Sequence, residues 1–132
     1  MAWLVLHAAG QAVLATIAGA VLLFLLSLVL HELGHVVVFR VVAPRAPGIF
    51  TARTGRFRLI RGTLPTGRDI AVTLAGPAAP FLLPALLAAP PFGAPVQFWA
   101  AAAIAFGHVS LLLRRDGDGA MLRAAVGRPT VP

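Results

Sequence analysis

The chain has 132 residues, 59% of them hydrophobic and 11% charged, with a formal net charge of +7 and no cysteine. So short a chain has too little interior to hide that much apolar surface, so the composition excludes a soluble globular domain and calls for lipid. The absence of cysteine excludes disulfides and thiolate metal sites, leaving any metal to nitrogen and oxygen ligands.

From Met1 to Phe39 there is no arginine, lysine or aspartate, and the apolar run continues through Val42 to a break at Pro44. As one helix it would measure about 63 Å, roughly twice the hydrocarbon thickness of a bilayer. Gly10 and Gly19 offer breaks, so an interfacial or tilted piece is expected over about 2–17 and a spanning helix over about 18–42. The first positive charge is Arg40, which argues against a secretory signal peptide. Residues 43–67 alternate arginine with apolar or threonine positions around Thr54-Gly55, as in RFRLIR at 56–61. That period predicts a small surface β-hairpin over about 48–62, its arginines against anionic headgroups.

Thr66 and Asp69 form a T-x-x-D capping pattern before the next apolar run, which assigns Asp69 to a helix cap. The second span is expected over about 69–89, kinked or interrupted by Pro77, Pro80 and Pro84. A turn at 90–95 leads to a third span over about 96–113, whose alanine-rich face suits close helix packing. Trp3 and Trp99 read as interfacial anchors, and His7 as an interfacial histidine. The fold class is thus an all-α membrane protein, one domain over 1–132. It has about three transmembrane helices and a β-hairpin between the first two.

All eleven basic residues are arginine, seven in 40–68 and four in 114–132. Three spans put both groups on one side, which the positive-inside rule makes cytoplasmic. Arginine at the ends of apolar segments is ordinary for membrane loops, so no nucleic-acid partner is expected. All-arginine basicity also suggests a GC-rich prokaryotic genome, hence a prokaryotic cell membrane.

Four carboxylates exist, Glu32, Asp69, Asp116 and Asp118. Glu32 lies in His31-Glu32-Leu33-Gly34-His35, an H-E-x-x-H pattern inside the first span, where ionisable groups are costly and usually functional. On a helix, His31 and His35 stand about 40° apart, one turn above each other, so both imidazoles reach one metal ion. Glu32 projects about 100° from His31, suited to holding a water beside that ion. A catalytic zinc usually takes three protein ligands, and Asp116 and Asp118 lie at the same depth, just past the third span.

HELGH inside a transmembrane helix resembles the site-2 proteases, a family of intramembrane zinc metalloproteases. The likeness extends to Ala75-Gly76-Pro77 and to Asp118-Gly119 with Ala120-Met121-Leu122 after it, over roughly 20–124. It implies zinc held by His31, His35 and Asp118, with Glu32 as the catalytic base. It also implies hydrolysis of peptide bonds in or near transmembrane segments of membrane-protein or peptide substrates. Where the family has an asparagine that holds substrate or oxyanion this chain has Ser110, and Leu113 and Arg115 replace its usual prolines. Ser110 is the expected donor there, with His108 as an alternative donor or ligand, and Asp116 competes with Asp118. The strand region implies pairing with an unwound substrate segment. Regulation would come from a membrane partner or homo-oligomerisation. Two other readings stay open: an inactive family member that binds zinc or a client protein, and a metal-handling or transport protein.

Overall fold

The computed structural model describes residues 2–8, 10–53, 56–89 and 95–128. A short helix α1 (Ala2–Ala8) precedes α2 (Ala12–Val42), a single helix of 31 residues. The break between them falls at Gly10, whose φ of 73° lies in the left-handed region that glycine tolerates. Gly19 is no break: it is buried inside α2. The expected start of the span at 18 is therefore corrected to 12. At about 46 Å the helix is longer than the hydrocarbon thickness, so crossing a bilayer would require it to tilt or protrude.

The buried residues of α2 are Ala15, Gly19, Leu23, Ser27, His31, His35 and Phe39, one every fourth position. A four-residue step drifts about 40°, so this ridge winds around most of the helix and meets different partners along its length. Leu23 packs with Leu83 and Ala101, and Phe39 with Ala43 and Val72. The histidine pair occupies the same ridge between these two clusters. Elsewhere α2 exposes Ile17, Val21, Leu25, Val29, Leu33 and Val37. Buried histidine and serine beneath exposed leucine and valine invert the pattern of a soluble protein.

Strands β1 (Gly48–Arg53) and β2 (Arg56–Arg61) form the expected antiparallel hairpin, with Gly48 opposite Arg61 and Arg53 opposite Arg56. Thr54 and Gly55 lie outside the described residues, as do the side chains of Trp3 and His7 and most of the 90–95 turn. Helix α3 (Thr66–Ala78), a 3-10 turn (Ala79–Phe81) and α4 (Leu82–Leu87) make one apolar segment. Pro77, Pro80 and Pro84 each remove a backbone donor from it, which interrupts the regular helix as expected. Helix α5 (Pro95–Ser110) and a second 3-10 turn (Leu111–Leu113) follow. Trp99 is exposed on α5. Three segments, Ala12–Val42, Thr66–Leu87 and Pro95–Leu113, are long and apolar enough to cross a membrane.

The chain then folds back as α6 (Gly117–Val126), an element the apolar pattern does not announce. Gly119 permits the return, because a side chain there would collide with the Arg114 carbonyl. This fold-back carries Asp118 to the histidine pair in the C-terminal half of α2.

Asp69 is not a cap. The N-cap position is Pro65, no side-chain capping bond is made, and Asp69 is buried one turn inside α3. It pairs with Arg61 of β2 and, at 2.8 Å, with Arg128 beyond α6. An arginine trapped under the hairpin needs a counter-charge more than a solvated helix end needs a cap. Arg61 is correspondingly turned inward, away from any headgroup.

Candidate metal centre

Three elements build the site. Helix α2 supplies His31 and His35 from its buried ridge, α3 supplies the wall behind them, and α6 supplies Asp118. His31 Nε2 lies 3.0 Å from Asp118 Oδ2, and His35 Nε2 lies 3.3 Å from Asp118 Oδ1. The two Nε2 atoms are 3.3 Å apart. All three ligand atoms lie within 4.8 Å of one another, so the group can hold a metal ion.

The His35 ring is fixed from behind, its Nδ1–H donating to the Val72 carbonyl at 2.7 Å. That bond turns Nε2 toward Asp118, where its lone pair would serve a metal ion. The ring rests on Gly76, where a Cβ would overlap Nε2 itself, and Gly34 lets the backbones of α2 and α3 touch at Ala75. Gly76→Ala is therefore expected to displace the His35 ring and weaken metal retention by more than about tenfold. A chelator-competition titration checks it, and unchanged retention would show that the ring can move without loss.

Asp118 lies outside the three apolar segments. Burial alone would raise its carboxyl, but hydrogen bonds from His31 and His35 outweigh that and hold it well below the usual carboxylate range. It is ionised and ready as a ligand. Glu32 lies half-buried in the wall of the same cavity, about 720 Å³ in volume, and makes no hydrogen bond or ion pair among the described residues.

The other candidates separate cleanly. Asp116 is exposed and held by Arg114 through two bonds of 3.0 and 3.2 Å, leaving Asp118 as the carboxylate that faces the histidines. Ser110 is not brought to the site: it is exposed, and its hydroxyl donates to the Gly107 carbonyl at 2.6 Å. At the end of α5 the i−3 carbonyl is the nearest acceptor, and it captures the serine. His108, two residues earlier, is the one that turns inward, buried against Ser27 and His31.

Sequence reasoning missed Ser27 and the inward Arg61. Ser27 stands four residues before His31, so the spacing that links the histidines could have found it. Nothing local marks Val72, whose contribution is a backbone carbonyl.

No protein-family model matches the chain, and no curated protein or solved structure matches it either.

Proposed function

We propose that the chain is an intramembrane zinc metalloprotease of the site-2 protease type, cleaving peptide bonds in or near the transmembrane segments of membrane-protein substrates. One observation carries the reading: two imidazole nitrogens on a helix apolar enough to cross a membrane meet the Asp118 carboxylate in a cavity that Glu32 also lines. Nitrogen and oxygen ligands of this kind suit zinc. Around a tetrahedral zinc bonded at about 2.0–2.1 Å, ligand atoms stand about 3.3 Å apart, which is the spacing of His31, His35 and Asp118.

Zinc bound there supplies Lewis acidity, bringing the pKa of an attacking water to about 7 and polarising the peptide carbonyl. Glu32, unpaired in the cavity wall, accepts the water's proton and later delivers it to the departing amine. His35 keeps its orientation through Val72, and Asp118 is delivered by the fold-back of α6. The exposed Arg114 and Asp116 line the cavity, so water can enter from the arginine-rich side, which we read as cytoplasmic. Leu59 and Arg61 of β2 line the cavity, so the hairpin stands at a place where an unwound substrate segment could pair as an added strand.

In a single-turnover assay on a transmembrane peptide, Glu32→Gln is expected to slow cleavage at least about a hundredfold while zinc content stays unchanged. Equal rates for the two proteins would remove Glu32 from the chemistry. A second reading is an inactive member that holds zinc or a client protein. Ser110, turned away to Gly107, favours it by leaving the expected donor outside the cavity. Zinc-loaded protein that never cleaves would establish that reading.

A further inference from the structure

His31 and His108 each carry one orphaned ring nitrogen, and hydrogen counting decides which is donor and which is acceptor. Ser27 has a single hydroxyl hydrogen, and at 2.6 Å it goes to the Phe24 carbonyl. Ser27 Oγ, 3.0 Å from His108 Nε2, must then accept, so Nε2 of His108 bears the ring proton and its Nδ1 bears the lone pair. Nδ1 of His108 is buried and has no partner.

His31 is the converse case. Its Nε2 faces Asp118 and His35, and a neutral imidazole that offers Nε2 to a metal carries its proton on Nδ1. Nδ1 of His31 is also buried without a partner. The two rings lie 4.9 Å apart between centroids, inclined by 34°. One buried donor and one buried acceptor therefore stand on neighbouring rings of α2 and α5. Leaving both unmatched is costly, and matching them removes both costs at once.

We infer that His108 is a positioning residue for His31, its Nδ1 accepting the hydrogen bond of His31 Nδ1–H through one water. This rests on reading His31, His35 and Asp118 as a metal site. The relay runs from His31 Nδ1–H through that water to His108 Nδ1, from His108 Nε2–H to Ser27 Oγ, and from the Ser27 hydroxyl to the Phe24 carbonyl. It holds His31 in the tautomer whose Nε2 lone pair faces the metal. Val72 does the same for His35 through a backbone carbonyl, so each ligand histidine has its own support. His108 is neither a ligand nor a substrate donor in this scheme.

The test uses the full chain in detergent, with Zn2+ itself as probe. Chelator competition is expected to show His108→Leu weakened about ten- to a hundredfold, the range for loss of a partner behind a metal ligand. His108→Asn, whose Oδ1 can accept at nearly the same place, is expected to recover most of the affinity. Ser27→Ala, which frees the His108 tautomer, should fall between unmutated protein and His108→Leu. In 15N spectra of the zinc-loaded chain, His31 should be protonated on Nδ1, and the Nδ1 resonance should shift in His108→Leu as its hydrogen-bond acceptor is lost.

Equal affinity in His108→Leu, with His31 unchanged in the spectrum, would overturn the proposal and leave the metal site standing. Equal losses in the leucine and asparagine variants would also overturn it, reducing His108 to packing. No zinc on the unmutated chain would remove the metal reading and this one with it. Should His108→Leu not fold, the His31 spectrum of the zinc-loaded unmutated chain decides: protonation on Nε2 with Nδ1 on the metal would overturn the relay.

Discussion

Protein purified in detergent without chelator is expected to carry close to one zinc per chain, and Asp118→Asn to carry almost none. Asparagine keeps the size of the side chain and one oxygen, but it removes the negative charge from the smallest member of the ligand set. Two neutral imidazoles one helical turn apart leave zinc short of the three protein ligands that a catalytic site needs. Asp116→Asn is the internal control, because Asp116 is exposed and occupied by Arg114. It should keep its zinc. Acidification should strip the ion, since protonated histidine cannot ligate. Loss of zinc in Asp116→Asn instead of Asp118→Asn would move the third ligand to the wrong residue for this fold. No zinc in the unmutated chain would undo the metalloprotease reading.

The second large effect is structural. Asp69→Ala should cost about 3–5 kcal/mol, because it leaves the buried Arg61 guanidinium without its main counter-charge. Both partners are almost fully buried, with side chains 4% and 5% exposed. Arg128, one-third exposed, can hydrate when Asp69 is lost, so Arg128→Ala should be the milder change. Replacing Asp69 and Arg61 together by apolar residues of similar volume should restore most of the stability, since no isolated charge remains. Thermal unfolding in detergent checks the series. An Asp69→Ala protein as stable as the unmutated chain would mean that Arg61 finds water beneath the hairpin. The ion pair also ties the hairpin to α3 beside the cavity, so Asp69→Ala should disturb the cavity wall contributed by Leu59 and Arg61.

Much of the architecture follows from composition and period alone. Apolar runs too long and too many for a small core specify helices long and apolar enough to cross a membrane, and alternation around Thr54-Gly55 specifies the hairpin. Both depend on neighbours within a few residues. The i, i+4 spacing of His31 and His35 likewise specifies half a metal site, because helix geometry alone aligns the two rings. Gly76 belonged to a family resemblance in the sequence, and the structure supplies its physical reason in the His35 ring it accommodates.

Other features were decided only by the tertiary structure, because their causes are distant in sequence. Whether Gly10 or Gly19 broke the first helix depended on what packed against each, and Gly19 lies on the buried ridge of α2. The capping pattern at Thr66–Asp69 was overridden by Arg61 and Arg128, whose charges a local motif cannot register. Asp118 and Asp116 are equivalent by composition, and the fold-back of α6 alone turns one toward the histidines and the other toward Arg114. Ser110 and His108 differ by two residues, about 200° around α5, and only the position of α2 decides which of them faces the site. Local periodicity determined the helices and the first two ligands; long-range packing chose the third and the residues behind them.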